Sequence, residues 1–224
     1  MLVAIPDVLN QEQLKTIREL LDNARFSDGR LSAGLTARRV KNNEEIPASD
    51  QVLSKLNNLV MNSLFNHPTF QAAVLPHRLA TPFYARYVKG KFYGDHVDDP
   101  VMGPLTGRYR TDVSMTLFLN DPGEYEGGET VIHTQHGEQK IKLEAGGVIT
   151  YPSGSLHHVA EVTDGVRLVA VSWAQSMIRD PARRELLYNL HKTREALQAR
   201  YPDDEEVLKI DHTYINLVRM WAEV

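Results

Sequence analysis

Tyr87-Val-Lys-Gly90-Lys-Phe-Tyr93-Gly-Asp95-His96-Val97-Asp98-Asp99-Pro100 is the stretch on which the reading of this chain turns. In an extended backbone, side chains at i and i+2 leave the same face, so the His96 imidazole and the Asp98 carboxylate can converge on one ion while Asp99 points away. Two ligands hold a transition metal poorly, and His157-His158 further along offers candidates for a third. Two histidines and one carboxylate leave about half of an octahedral ion open to other molecules. A lone His-x-Asp is common by chance. What lifts this one is its context: aromatic and glycine residues before it, and Arg167 nine positions beyond His158.

The 224 residues suffice for one domain with a sizeable core and attachments. A net charge of -4 gives no bulk attraction to nucleic acid or to an anionic membrane. No apolar run approaches the roughly 18 residues of a membrane span, and Met1-Leu-Val-Ala-Ile-Pro6 lacks the features of a signal peptide, so a cytoplasmic location is expected. With no cysteine, any metal must be held by His, Asp or Glu.

Outward from the motif, the texture from Leu79 onward is β-branched and aromatic, cut by glycine and proline turns for about a hundred residues. The spacing predicts strands at 83–88, 112–119, 130–134, 139–143, 148–151, 158–162 and 166–173. Short strands at this interval with little helix between them indicate a β-sandwich or jelly roll, mainly β with helical flanks. Before it, Asn10 and Gln13 form a capping-box pattern ahead of a helix over 11–25, and Ser49 is placed to cap a second helix that ends near His67-Pro68. Between these helices, 31–40 reads as a strand and the polar run Lys41-Asn42-Asn43-Glu44-Glu45 as a loop. After Trp173, Asp180-Pro181 starts a helix to about Arg200, and one or two further helical pieces follow. The expected organisation is an N-terminal helical support over 1–77, a β domain over 78–177 and a C-terminal helical region over 178–224. The amphipathic tail could pack on the barrel, on the N-terminal helices, or on a second copy in a homo-oligomer.

Of His157 and His158, alternation lets one face the interior. If Asp164-Gly165 is a two-residue hairpin turn, Val162 pairs with Arg167, and His158 and Arg167 then share a face about 13 Å apart, room for a small dianion between ion and guanidinium. A three-residue Thr163-Asp164-Gly165 turn with a bulge would break this parity.

Taken together, Tyr87-x-x-Gly90-x-x-Tyr93-x-x-His96-x-Asp98, Gly127-Gly128-Glu129-Thr130, His158 and Arg167 resemble the prolyl 4-hydroxylase-like branch of the Fe(II)/2-oxoglutarate dioxygenases, and above all the bacterial PKHD-type hydroxylases. The resemblance implies a double-stranded β-helix with supporting helices at both ends. It further implies Fe(2+) held by His96, Asp98 and His158, and the distal carboxylate of 2-oxoglutarate bound by Arg167 with help from Tyr87. Also implied are O2 as oxidant, L-ascorbate as a reductant, and oxidative decarboxylation to succinate and CO2 coupled to C-H hydroxylation of a small-molecule or peptide substrate. Two rivals stand beside this reading: a non-catalytic metal or small-acid binding barrel, and a metal-free cupin-like isomerase or epimerase using His and Tyr as acid and base.

Other residues carry blander readings. His133 and His136 flank a hairpin turn and read as solvated; His67, His77, His191 and His212 read as structural. Asp95 and Asp99 cap or solvate the turn, or support His96 from behind. Gly127-Gly128 reads as a tight turn, since no helix with a lysine follows, and Ser153-Gly154-Ser155 lacks the glycine of a nucleophile elbow. The loop from Pro100 to Arg110 is placed to line the entrance, where Arg108 and Arg110 would suit an acidic substrate or be solvated.

Overall fold

The computed structural model describes all residues 1–224. In chain order the elements are β1 (Val3–Ile5), α1 (Gln11–Asp22), β2 (Ser27–Asp28), β3 (Lys41–Asn42), β4 (Glu44–Glu45), α2 (Val52–Asn66), α3 (Pro68–Val74), β5 (Pro76–Leu79), β6 (Phe83–Val88), β7 (Phe92–His96), β8 (Val101–Met102), β9 (Tyr109–Arg110), β10 (Val113–Phe118), β11 (Tyr125–Gly127), β12 (Thr130–Thr134), β13 (Gly137–Ile141), β14 (Val148–Pro152), β15 (His157–Val159), β16 (Val162–Ser176), α4 (Pro181–Arg200) and α5 (Glu205–Trp221).

All pairing is antiparallel, in two facing sheets and a separate two-stranded ribbon of β8 and β9. The major sheet runs β1-β14-β10-β16-β6-β4-β2, with β5 and β11 also pairing with β16; the minor sheet runs β13-β12-β15-β7-β3. Alternation along β10 shows how the layers are made. Val113, Met115 and Leu117 point to one core, with Leu14, Ile17, Leu56, Val60 and Leu64 of α1 and α2; Phe118 points to the other, with Tyr87, Ile132 and Tyr151 between the sheets. Because both faces of the major sheet are covered, β10 is buried from end to end. The C-terminal helices make a third, smaller core, in which Leu75, Ile178 and Leu187 meet Tyr214, Leu217 and Trp221. Arg184 of α4, buried, donates to the carbonyls of Ile178 and Asp112 and so ties that helix to β10.

The fold agrees with the expected antiparallel jelly roll with helical flanks, and the capping box of α1 is present, with Asn10 and Gln13 exchanging 2.9 Å hydrogen bonds. Four local readings are corrected. Residues 31–40 hold the end of one 3-10 turn, Gly29–Ser32, and a second, Ala37–Arg39, with no strand. The supposed loop Lys41–Glu45 supplies β3 to the minor sheet and β4 to the major one. Asp50, not Ser49, accepts from the first turn of α2, and Pro68 opens α3 after α2 has ended, since its missing N–H is no loss at a first helical position. Asp164-Gly165 makes no hairpin: β16 runs through it, and Gly165, at φ +72°, lies where a Cβ would sit 2.2 Å from the Glu124 carbonyl oxygen of β11's approach.

The polar run was misread because its charges are paired inside the protein. Lys41 Nζ lies 2.5 Å from Glu45 Oε1 and donates to Ser32 Oγ at 3.0 Å, and both side chains are about nine-tenths buried. Deleting one member of such a pair strands the other charge at a cost of roughly 3–5 kcal/mol, whereas replacing both with apolar groups can be neutral. Glu45→Ala is therefore expected to destabilise the fold by roughly 3–5 kcal/mol, and Lys41→Met/Glu45→Met to recover most of that loss in denaturant titration. Equal losses in the two proteins would show that the pair contributes by attraction alone.

Candidate functional site

Between the sheets lies a cavity of about 590 Å³. On its minor-sheet wall His157 of β15 is the direct cross-strand partner of His96 of β7, so the two imidazoles leave the same face of the sheet with ring centroids 4.2 Å apart. Asp98, two residues past His96, brings its carboxylate to 3.9 Å from His96 Nε2 and 3.8 Å from His157 Nε2. His96, Asp98 and His157 each present one ligand atom, all within 4.8 Å of one another.

The surroundings fix which atoms face inward. Nδ1 of His96 lies 2.8 Å from the Gly94 carbonyl, and Nδ1 of His157 lies 2.9 Å from the Ser155 carbonyl. A carbonyl only accepts, so each Nδ1 carries the proton and each Nε2 lone pair points into the site. Burial, with the neighbouring His157, pushes the His96 imidazole down to about 4, so it is neutral and free to ligate at neutral pH. Asp98 accepts from Ser114 Oγ, and with that single proton so committed Ser114 Oγ accepts from Ser153 Oγ at 2.7 Å. Tyr93 stacks on the His96 ring at 3.7 Å. The donor set, two neutral imidazoles and a carboxylate converging from one side, fits a divalent transition ion with several positions left open.

The opposite wall carries Arg167 of β16, only 1% exposed. Its guanidinium lies over the rings of Tyr87, its partner across β6, and of Phe118, and Nη2 donates to Thr130 Oγ1 at 2.9 Å. Nε and Nη1 have no partner, and Arg167 belongs to no ion pair. A permanent cation buried with two free donors is costly unless an anion completes it. Gly128 makes room for it: at φ +67° and with an added Cβ 3.0 Å from Arg167 Cδ, that position accepts glycine alone without displacing the arginine stem. This gives Gly127-Gly128-Glu129-Thr130 its meaning: a close approach, then the hydroxyl that receives Arg167.

The N-terminal region closes the cavity. Asn43 donates to Tyr87 Oη at 3.1 Å, and Lys41 and Glu45 line the same wall. None of the three was read as functional from sequence; the signal available was their i, i+2, i+4 alternation, which puts all three on one face of an extended segment. Burial raises the phenols of Tyr87 and Tyr151 above the ordinary tyrosine value, although the Arg167 cation works against that rise.

The expected residues are placed as follows. His96, Asp98, Arg167 and Tyr87 all line the cavity. His158 does not: it faces the outside of the minor sheet, with Nδ1 2.8 Å from Asp95 Oδ1, and His157 takes the inner position. The parity count that favoured His158 presumed a β15–β16 hairpin, but β15 pairs with β12 and β7 in one sheet while β16 lies in the other, so alternation counted back from Arg167 does not carry across the crossing. Asp95 likewise faces outward, with His133 as well as His158. Of the 100–110 loop, Val101, Met102 and Gly103 reach the cavity; Arg110 is engaged by Asp112 at 3.2 Å and neither it nor Arg108 lines the cavity.

Comparison with known proteins gives the family of the chain. Residues 82–175 match the 2OG-Fe(II) oxygenase superfamily, and residues 181–223 the PKHD-type hydroxylase C-terminal domain. A prolyl-4-hydroxylase from Pseudomonas putida has a similar fold, with TM-score 0.53 at 16% identity over 78% of this chain and 92% of that one. A prolyl hydroxylase from Trichoplax adhaerens gives 0.56 at 16% identity over 78% and 83%. The sequence is 42% identical to the PKHD-type hydroxylase YbiX of Escherichia coli and 56% identical to a PKHD-type hydroxylase of Thioalkalivibrio sulfidiphilus, over the full length of each chain in both cases. The chain therefore belongs to the PKHD-type hydroxylases of the 2OG-Fe(II) oxygenase superfamily, and is an Fe(II)- and 2-oxoglutarate-dependent hydroxylase of unspecified substrate.

Proposed function

We propose that His96, Asp98 and His157 hold the iron, and that Arg167, with Thr130 and Tyr87, binds the distal carboxylate of 2-oxoglutarate. The observation that carries this reading is the buried Arg167 guanidinium with Nε and Nη1 unpartnered, on the wall of the cavity that also contains the histidine and aspartate ligand atoms. Iron(II) with 2-oxoglutarate and O2 supplies oxidative decarboxylation to succinate and CO2 coupled to C-H hydroxylation. The chain's own groups hold and orient. Asn43, by donating to Tyr87 Oη, occupies an acceptor position of that hydroxyl and leaves its proton for a carboxylate. The Gly94 and Ser155 carbonyls fix the imidazole tautomers, and Phe118, Ile149 and Tyr151 shield the Arg167 end from solvent.

The rivals are weaker for stated reasons. A metal-free acid–base isomerase would need a tyrosine that ionises readily, but burial raises the phenols of Tyr87, Tyr93 and Tyr151. A non-catalytic metal module has no use for an anion receptor beside the ion. A cytoplasmic location is part of the proposal, on the ground that 2-oxoglutarate is a metabolite of the cell interior; no helix is long and apolar enough to cross a membrane.

Two measurements test the assignments. Fe(II) and 2-oxoglutarate added together without oxygen should give the weak visible charge-transfer absorption of their complex. It should vanish in His157→Ala and Asp98→Ala and persist in His158→Ala and Asp99→Ala; loss in His158→Ala with retention in His157→Ala would reassign the third ligand. For the cosubstrate, Arg167→Ala should weaken 2-oxoglutarate by about 1.5 to 3.5 orders of magnitude, from a charge-assisted pair worth roughly 2–5 kcal/mol when truncated, while iron still binds. Arg167→Lys should recover part of that affinity, restoring charge without the forked geometry. An unchanged dissociation constant in Arg167→Ala would remove Arg167 from the cosubstrate site.

A further inference from the structure

The strands that bear the inner ligands also carry a second constellation on their outer face. Alternation sends Asp95 of β7 and His158 of β15 to the side of the minor sheet opposite His96 and His157. β12, the next strand, pairs Val131 with His158, so His133, two residues further on, lies diagonally across from His158 on that same side. Three adjacent strands thus deliver two imidazoles and a carboxylate to one point. His158 Nδ1 lies 2.8 Å from Asp95 Oδ1 and His133 Nε2 lies 3.0 Å from the same oxygen. All the ligand atoms of this group fall within 4.8 Å of one another.

We propose that Asp95, His133 and His158 form a second site for a divalent transition ion of the zinc class, separate from the inner one. Donors bound at about 2.0–2.1 Å in tetrahedral or octahedral order stand roughly 2.9–3.4 Å apart, close to the spacing already present between the carboxylate and each imidazole. Glu138 Oε1 lies 3.9 Å from the other ring nitrogen of His133, Nδ1, across the β12–β13 hairpin, beyond hydrogen-bond range but adding negative charge beside the site. The two histidines are about a quarter to a third exposed and Asp95 about half, so an ion and its remaining waters can reach the site from solvent. Histidine and carboxylate donors with solvent-filled open positions suit Zn2+, and the absence of cysteine excludes a closed thiolate site. An ion here joins β7, β15 and β12 side by side, bracing the two strands from which the inner ligands His96 and His157 project.

Equilibrium dialysis of the full chain against Zn2+, with the bound metal counted by elemental analysis, tests the proposal. Wild type is expected to retain two ions, His133→Ala one, and His157→Ala one, with the second equivalent weakened at least tenfold in the His133 variant. His133→Gln, which keeps a hydrogen-bonding side chain at this partly exposed position, should also retain one. Thermal unfolding gives an independent reading: Zn2+ should raise the melting temperature of His157→Ala, whose inner site is broken, and not that of His133→Ala/His157→Ala. A single ion in wild type, or two ions in folded His133→Ala, would overturn the outer site.

Discussion

The interior of this protein is arranged around one uncompensated charge. Arg167 stands 1% exposed between the sheets, and its own chain satisfies it only through Thr130 Oγ1 and the faces of Tyr87 and Phe118. An isolated buried ion costs several kcal/mol, and folding tolerates it where the surroundings hold the group in one place and a ligand anion later offsets the charge. Much else follows from this. Gly127 and Gly128 turn tightly against the crossing from β15 to β16 so that the arginine stem fits, and the cavity opens from this group toward the histidine wall. A dianionic cosubstrate that also chelates iron is the natural occupant of such a space.

The helices matter to the site indirectly. α1 and α2 cover one face of the major sheet with Leu14, Ile17, Leu56, Val60 and Leu64, which leaves the other face of the same strands free to hold Ser114, Thr116, Tyr151 and Arg167. The N-terminal segment contributes more directly. β3 and β4 bridge the two sheets, and their buried Lys41–Glu45 pair closes one wall of the cavity while Asn43 positions Tyr87. A region that resembles a support is thus part of the binding wall.

The strand expected over 112–119, the capping box at Asn10 and the convergence of His96 with Asp98 are legible in the sequence, because each is a local pattern whose physics is local. That Arg167 and Tyr87 line the same cavity is legible through the spaced pattern that carries the family resemblance. The choice between His157 and His158 was not, since it depends on which sheet β15 joins, and Asp164-Gly165 has the composition of a hairpin turn although it lies inside a continuous strand. Lys41–Glu45 misleads for a related reason: five polar residues in a row indicate solvent unless the fold buries them, and here Lys41 pairs with Glu45 inside the protein while Asn43 reaches Tyr87, 44 residues on. Gly165 reads as a turn residue, but what calls for glycine there is the close passage of β11, a tertiary contact.

One face of the minor sheet is proposed to hold the metal, and the facing arginine the cosubstrate. Anomalous X-ray diffraction from crystals grown without oxygen in Fe(II) and 2-oxoglutarate tests it most directly. The expected result is an anomalous peak at the inner face within bonding distance of His96 Nε2, Asp98 and His157 Nε2, with the distal carboxylate of 2-oxoglutarate on Arg167 Nε and Nη1. Iron bound through His158 in place of His157, or a 2-oxoglutarate carboxylate directed away from Arg167, would contradict it.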